Sequence, residues 1–336
     1  MDSSRVRWWV AGGEAPLFDD LDAALLRGRV VKDYRHKRTV ECRVSGVVWL
    51  VKIYKPGGVF RRLKSRFLGS RARHELRMYL GVERRRIPTV PLAAVAERGA
   101  EGFVICRKLE GWRSVEEALL DPATPSGVRR KLADDYGRFA RRLHDAGVWQ
   151  YDFNPSNVLV DPKRPHDLRV IDFEKMKLLR SVSLESRLRS MAKINRVPRL
   201  SRSDRLRFFR SYFHDRDDLR DLLRRLRTRI LRQTRHDAAR IRRLCTRENR
   251  NFAPIDSPEC TGWYRRRRPD HPEFGLMPEE VEALVLGTRK GYRVEPREDA
   301  ISAWRDSNAR AKEGSPPPLA VVRKRGAREG YVVYRA

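Results

Sequence analysis

Two acidic motifs, each beside a short apolar run, restrict the folds open to this chain more than any other feature of its sequence. The first reads Asp-Phe-Asn-Pro-Ser-Asn from Asp152 to Asn157 and leads into the apolar residues 158–160. The second reads Asp-Phe-Glu from Asp172 and follows another apolar run. A single aspartate in a loop is more often a turn or capping residue. Two aspartates and an asparagine at this spacing, each next to a predicted strand, point instead to shared chemistry.

This combination is typical of kinase-like enzymes, which transfer a phosphoryl group from a nucleotide. In those enzymes one aspartate accepts the proton of the acceptor hydroxyl, and an asparagine and a second aspartate hold Mg²⁺ on the nucleotide phosphates. The kinase pattern H-R-D-x-x-x-x-N is matched from Asp152 to Asn157. The kinase triplet D-F-G is replaced by Asp-Phe-Glu, so Glu174 stands where protein kinases have a glycine.

Upstream, alternating apolar residues predict an antiparallel hairpin with strands over 39–44 and 47–54. Kinases place a phosphate-contacting lysine on such a strand. Lys52 is our candidate for that lysine, and Lys55 is the second choice. The alternative is a lysine on the solvent face of a half-buried strand.

A helix is predicted over residues 72–80, where apolar side chains share one face. An active kinase pairs its strand lysine with a glutamate on this helix. Glu75 is therefore the candidate partner of Lys52. The alternative is an exposed glutamate among arginines, which is common on surface helices.

The glycine-rich phosphate loop of protein kinases is missing, because residues 34–40 contain no glycine. This absence argues against a protein kinase in particular. The basic residues from Arg35 to Arg38 could face the nucleotide phosphates instead.

The remaining pattern predicts a second hairpin over 92–97 and 102–109, a hinge at 110–112, and a long helix over 128–146 that leads into the first acidic motif. After Glu174 we expect no further strand until the C-terminal region. Residues 181–247 are helical in pattern and rich in arginine. One apolar stripe there comprises Leu206, Phe209, Tyr212 and Phe213.

The C-terminal residues 318–335 echo residues 91–107, and residues 300–310 loosely resemble the helix of Glu75. We therefore expect a partial repeat of the first lobe, without counterparts of the acidic motifs. The predicted domains are an N-terminal extension over 1–29, a first lobe over 30–110, a helical lobe over 111–248 and the partial repeat over 249–336.

The formal net charge of +31 predicts an anionic partner, such as a membrane surface, nucleic acid or a phosphorylated glycolipid. A codon bias toward arginine is the alternative source of this charge. The four cysteines are scattered, so we expect neither zinc ligation nor a disulfide framework, and a reducing cytoplasm fits. No apolar run reaches the roughly 18 residues of a membrane span. We find no nucleic-acid recognition module and expect no nucleic-acid partner.

With these residues in hand, the chain resembles the bacterial lipopolysaccharide kinase family, which phosphorylates Kdo or heptose of the lipid A–core. The similarity is clearest from Lys52 to Glu174. It implies an α+β, bilobal protein-kinase-like fold with an antiparallel β N-lobe and a mostly helical C-lobe. The chain departs from the family at Gln150, where a histidine normally braces the catalytic loop.

The resemblance also implies ATP and Mg²⁺ as cofactors and residue roles in their use. Asp152 is the implied catalytic base, Asn157 and Asp172 are the implied metal ligands, and Lys52 with Glu75 is the implied phosphate-anchoring pair. It further implies an anionic glycolipid or sugar substrate and work at the inner face of the cytoplasmic membrane.

Three hypotheses follow from the sequence. The first is an ATP-dependent kinase of a sugar hydroxyl on lipopolysaccharide core or a related glycolipid. The second is a kinase-like pseudoenzyme or scaffold at the membrane face, favoured by Gln150 and the missing glycine loop. The third is a basic nucleic-acid- or membrane-binding protein with a fortuitous acidic pattern, which predicts binding to DNA that weakens steeply with salt.

Overall fold

A computed structural model of the chain describes most of the 336 residues. The described residues are 6–10, 21–34, 36–55, 70–151, 153–196, 200–249, 251–258, 260–267, 275–285, 292–311, 317–325, 327 and 329–335. They fall into two compact units, Met1–Leu226 and Arg227–Ala336. Asp152 lies outside the described residues.

Antiparallel strands form most of the sheet structure. They are β1 (Val6–Val10), β2 (Arg29–Tyr34), β3 (Lys37–Val44), β4 (Val47–Tyr54), β5 (Leu92–Arg98), β6 (Glu101–Arg107), β7 (Arg113–Ser114), β8 (Val148–Gln150), β9 (Val158–Asp161), β10 (Arg164–Val170), β11 (Met176–Leu178), β12 (Phe252–Asp256), β13 (Cys260–Arg265), β14 (Tyr292–Arg297), β15 (Ala320–Lys324) and β16 (Gly330–Arg335).

Helices follow the strands in both units. They are α1 (Leu21–Arg27), α2 (Arg71–Arg84), α3 (Val115–Leu120), α4 (Ser126–Asp145), α5 (Leu184–Met191), α6 (Arg202–Tyr212), α7 (Leu219–Leu244), α8 (Pro278–Val285) and α9 (Ala300–Arg310). Among the described residues, no helix combines the length and the apolar character needed to cross a bilayer.

The first unit begins with a six-stranded sheet in the order β1-β5-β6-β4-β3-β2. The predicted strand over 47–54 is confirmed as β4, and both predicted hairpins form, as β3–β4 and β5–β6. Along β4, the odd-numbered residues, such as Trp49 and Val51, pack into an apolar cluster with Ala24 and Ile105. Because side chains alternate between the two faces of a strand, the even-numbered residues, which include Lys52, project from the opposite face.

Helix α2 connects β4 to β5 and confirms the predicted helix. Ser70 caps its first turn, because the Ser70 hydroxyl accepts a hydrogen bond from the amide of Arg73 at 3.1 Å. Gly102 of β6 lets the helix approach closely, since a Cβ at that position would lie 2.9 Å from the Cβ of Ala72. This close packing brings Glu75 against the sheet.

The helical part of the first unit is built around α4 and α6. Gly137 lies where the two helices meet, and a Cβ there would lie 2.4 Å from the carbonyl oxygen of Phe208. Tyr136 packs against both Phe208 and Phe153. The start of the chain segment after Asp152 is thereby anchored to the helical core.

Two small antiparallel sheets hold the acidic motifs. Strand β9 pairs with β7 and β10, and β8 pairs with β11. The expectation that strands end at Glu174 is therefore wrong, since β11 follows it. Strand β11 consists of only three residues, and pairing with β8 fixes it in place rather than its own sequence pattern.

The second unit contains a five-stranded sheet in the order β12-β13-β15-β16-β14. Helix α9 lies between β14 and the hairpin β15–β16 along the chain. The stretch β13-β15-β16-β14 therefore has the same order and antiparallel pairing as β1-β5-β6-β4 in the first unit, where α2 precedes the hairpin. Trp304 of α9 is fully buried against this sheet.

Candidate active site

Lys52 and Glu75 form an ion pair at the centre of the first unit. The ammonium nitrogen of Lys52 lies 2.9 Å and 3.1 Å from the two carboxylate oxygens of Glu75. Glu75 is only 1% exposed, so the exposed-helix alternative is wrong for this residue. Tyr54, two residues along the same strand face, also donates its hydroxyl hydrogen to Glu75. Tyr54 was not among the predicted site residues, although its position two residues after Lys52 on the same strand face was a usable signal.

The same lysine also reaches the second acidic motif. The Lys52 Nζ lies 3.1 Å from Oδ1 of Asp172. Burial alone disfavours the charged ammonium, but the carboxylates of Glu75 and Asp172 outweigh burial and raise the pKa of Lys52. Burial followed by the charge of Glu75 raises the pKa of Tyr54, so its hydroxyl remains protonated. Lys52 is thus a permanent cation between two carboxylates.

Asp172 has an unusual backbone conformation. Its φ of 64° and ψ of 78° lie in the left-handed region, which non-glycine residues rarely adopt. Burial would raise the pKa of its carboxyl, but the ammonium groups of Lys52 and Lys37 lower it below the ordinary value. Asp172 is therefore ionised at neutral pH. Strained backbone of this kind is concentrated at functional sites.

Gln150 braces the segment that carries Asp172. Its side-chain amide donates to the carbonyl oxygens of Ile171 at 3.3 Å and Asp172 at 2.9 Å. The residue is 3% exposed, and its Oε1 has no hydrogen-bond partner among the described residues. The glutamine therefore makes a loop-bracing contact at the position where the family resemblance leads us to expect histidine.

Asn157 lies beside the same segment. It ends a short 3₁₀ turn over Pro155–Asn157, which the Asn154 side chain caps by accepting from the amide of Ser156. The carbonyl oxygen of Asn157 accepts a hydrogen bond from the amide of Ile171 at 3.0 Å. The chain thus brings Asn157 next to the residue that precedes Asp172.

Glu174 takes part in a second pair of ionic contacts. One of its carboxylate oxygens lies 3.0 Å from the Nζ of Lys37, and the other lies 3.7 Å from a guanidinium nitrogen of Arg71. Lys37 is one of the basic residues that the sequence placed near the phosphates. The importance of Glu174 itself was missed, because sequence alone showed only that it replaces a glycine.

The arrangement fits a hard divalent cation. Glu75, Asp172 and Glu174 each place a carboxylate oxygen within 4.8 Å of the others. Each of these carboxylates also contacts a cation: Glu75 and Asp172 share Lys52, and Glu174 contacts Lys37 and Arg71. Oxygen ligands of this type suit Mg²⁺.

Three features together define a kinase-like protein. A strand lysine pairs with a buried helix glutamate, the same lysine contacts an aspartate, and that aspartate follows the motif from Asp152 to Asn157. A family model for "Lipopolysaccharide kinase (Kdo/WaaP) family" matches residues 23–212. This is more than half of the chain, and the chain belongs to that family. Membership implies a phosphotransferase. A comparison with curated proteins gave no match.

Among solved structures, the chain is similar to "WaaP in complex with acyl carrier protein", with a TM-score of 0.50 and 24% identity over 64% of this chain and 90% of that one. This likeness shows a shared fold. A weaker similarity links it to WbdD in a co-crystal with a kinase inhibitor, with a TM-score of 0.35 and 21% identity over 48% of this chain and 36% of the other.

Proposed function

We propose that the chain is an ATP- and Mg²⁺-dependent kinase that phosphorylates a sugar hydroxyl of lipopolysaccharide core, Kdo or heptose, or of a related glycolipid. The observation that carries this proposal is the convergence of Lys52, Glu75 and Asp172, with nitrogen–oxygen distances of 2.9 to 3.1 Å. The same three residue types anchor the phosphates and the metal in kinases.

Within this proposal each residue has one task. The sheet of strands β1–β6 with α2 is the N-lobe of a bilobal kinase, and the following helices form the C-lobe. Lys52, oriented by Glu75, holds the nucleotide phosphates. Asn157 and Asp172 hold Mg²⁺, which neutralises charge on the transferring phosphate when it is bound.

Asp152 accepts the proton of the acceptor hydroxyl. As the hydroxyl oxygen bonds to the γ-phosphorus, the bond from that phosphorus to the β,γ-bridging oxygen breaks and ADP departs. Gln150 keeps the segment of Asp172 in place during this exchange. Cationic side chains of a basic surface suit a substrate that already carries phosphate groups.

We assign membrane contact to one face of α7. Arg220, Arg224, Arg227, Leu231 and Arg235 recur at intervals of three or four residues and are all exposed. They form a basic stripe, interrupted by an apolar side chain, on a helix of 26 residues. Such a stripe suits the anionic surface of a membrane.

Residues 249–336, within the second unit, are proposed as a partial repeat of the N-lobe. Its support is the shared strand order and the helix that precedes the hairpin in both units. It contains no counterpart in sequence of Asp152, Asn157 or Asp172. These residues therefore cannot themselves catalyse phosphoryl transfer by this mechanism, and a regulatory role stays open.

Transfer of label from γ-labelled ATP to purified core lipopolysaccharide tests the proposed function. We expect transfer that requires Mg²⁺ and is lost in Asp152→Ala and Asp172→Asn. Asp167→Asn is the matched control, because Asp167 lies on β10 in the same stretch of chain as Asp172 and contacts Arg164 and Arg169 at 3.5 Å. Absence of transfer by the wild type would contradict the proposal.

A pseudoenzyme is the alternative, and the missing glycine loop is the observation that favours it. A scaffold of this kind would be stabilised against heat by Mg²⁺ and ATP without transferring phosphate. Measuring thermal shift and transfer on the same preparation therefore separates the two functions.

A further inference from the structure

The β2–β3 hairpin precedes the strand of Lys52, as the glycine-rich loop precedes the lysine strand in protein kinases, yet residues 34–37 contain no glycine. Lys37 is the first residue of β3, and it pairs with Tyr54 of β4, while Thr39 pairs with Lys52. Residues directly opposite each other on paired strands project to the same face. Lys37 therefore projects from the same sheet face as Lys52.

The side chain of Lys37 is held close to the phosphate-anchoring residues. Its Nζ lies 3.0 Å from the carboxylate of Glu174, and the two side chains are 25% and 20% exposed. Glu174 follows Asp172 by two residues, and the charge of Lys37 contributes to the lowered pKa of Asp172. A second cation thus lies beside the aspartate that Lys52 already contacts.

A triphosphate needs several donors, because its negative oxygens must be satisfied in a partly desolvated cleft. Glycine-rich loops supply backbone amides for this purpose. Without glycine, a hairpin cannot bring its backbone as near to the phosphates. A lysine ammonium can bridge the remaining distance, since it is a compact charge on a flexible stem.

We propose that Lys37 binds the nucleotide phosphates in place of a glycine-rich loop, and that Glu174 holds its ammonium over the cleft until the nucleotide arrives. This inference rests on the proposed kinase function. It adds a phosphate-binding residue and assigns a purpose to the glutamate that replaces the glycine of D-F-G.

The next residue along the strand provides the control. Arg38 pairs with Ile53 and so projects from the opposite sheet face, and the expectation that it faces the phosphates is therefore wrong. Its guanidinium lies 3.0 Å from Asp33 on the same hairpin. Arg38→Met therefore removes a neighbouring positive charge without changing the proposed phosphate ligand.

Calorimetric titration with Mg·ATP, and competition by adenosine, test the proposal on the full chain. We expect Lys37→Met to weaken ATP binding at least tenfold and to leave adenosine binding unchanged, because adenosine has no phosphates. Arg38→Met should bind both as the wild type does. Glu174→Gln should bind ATP at least as tightly as the wild type, because the ammonium is then released from its carboxylate.

Three results would overturn the proposal. The first is that Lys37→Met binds ATP like the wild type. The second is that Lys37→Met loses ATP affinity and adenosine affinity equally. The third is that Glu174→Gln weakens ATP binding as much as Lys37→Met does. The last result would mean that the ion pair only shapes the hairpin. A wild-type protein that binds no ATP would remove the kinase function as well, whereas the other results leave that function standing.

Discussion

Lys52 connects three elements, because its ammonium contacts a carboxylate from α2 and another from the segment after β10. Glu75 is the most buried member of this group, at 1% exposure. Removing one partner from a buried ion pair leaves an uncompensated charge, which costs more than the pair itself contributes. We therefore expect the lysine to stabilise the fold in addition to its proposed role in nucleotide binding.

We expect Lys52→Met to lower the free energy of unfolding by about 3 kcal/mol. The double variant Lys52→Met with Glu75→Gln should recover at least about 1 kcal/mol of this loss, since it also removes the stranded carboxylate. Urea titrations of the wild type, both single variants and the double variant measure the coupling. Simple addition of the two single effects would contradict this interpretation.

Gln150 offers a separate test, because it acts through the backbone of Asp172 rather than on a ligand. Gln150→Leu should lower kcat at least tenfold, since the carbonyls of residues 171 and 172 lose their donor and the left-handed conformation loses support. Gln150→His should retain activity, because an imidazole can donate to the same carbonyls. Steady-state kinetics with thermal melting would show this, and equal activity in all three proteins would contradict the bracing role.

The sequence allowed Lys52, Glu75 and Asp172 to be selected, because strand alternation and the kinase pattern identify each one locally. It did not reveal the contact of Lys37 with Glu174, which joins residues 137 positions apart. Nor did it reveal the positive φ of Asp172, since aspartate is enriched in that conformation but adopts it in only a small share of cases. Contacts that depend on how a hairpin tip meets a distant turn are set by tertiary packing.

Helices α4 and α6 are joined by a buried polar contact between His144 and Tyr212, at 2.7 Å. His144 is 1% exposed, and burial, followed by the charge of Arg187, lowers its pKa to about 3. That value already includes smaller effects of two neighbours, since the charge of Asp145 raises the pKa and the charge of Arg141 lowers it. The folded protein therefore keeps this histidine neutral over a wide pH range.

Stability should consequently fall as the pH falls below about 6.5. Above that pH the histidine is neutral in both states, whereas below it only the unfolded chain takes up the proton. Below pH 6.5, His144 therefore lowers the free energy of unfolding by about 1.4 kcal/mol per pH unit, or by about 2 kcal/mol at pH 5. Denaturation curves from pH 7 to 5 should be less pH-dependent in His144→Gln than in the wild type, and equal pH dependence in the two proteins would contradict this account.

Helix α6 shows where pattern reading fails within an element. The predicted apolar stripe included Leu206, which is 47% exposed, whereas Phe208 is 1% exposed and fills the contact with α4. Leu206 lies three positions before Phe209 and Phe208 lies four positions before Tyr212, so helical periodicity fits either residue. The presence of Gly137 opposite Phe208 decides the choice, and that depends on the partner helix.

The formal charge of +31 acts over the chain as a collective property. Exposed cations attract an anionic surface, and salt weakens this attraction because it screens charges beyond about 10 Å at 0.1 M. The proposed basic stripe of α7 would concentrate the attraction on one helix face. Charge alone, however, does not distinguish a membrane from nucleic acid.

We expect the protein to bind vesicles that contain anionic lipid at low salt and not to bind neutral vesicles. At 0.5 M salt, where the screening length is roughly 4 Å, it should dissociate from the anionic vesicles. Replacing Arg220, Arg227 and Arg235 with glutamate should weaken binding at least tenfold. The control replaces the exposed Arg84, Arg130 and Arg210 with glutamate, for the same change in net charge. Vesicle sedimentation with equal losses in both triple variants would contradict a role for α7, and a preference for DNA would favour a nucleic-acid partner.

The most direct test is a crystal structure of the protein with Mn²⁺ and a non-hydrolysable ATP analogue. We predict an anomalous metal peak about 2.1 Å from side-chain oxygens of Asn157 and Asp172, with Lys52 against the phosphates and still paired with Glu75. Nucleotide bound elsewhere, or a metal peak remote from Asp172, would contradict the proposed site.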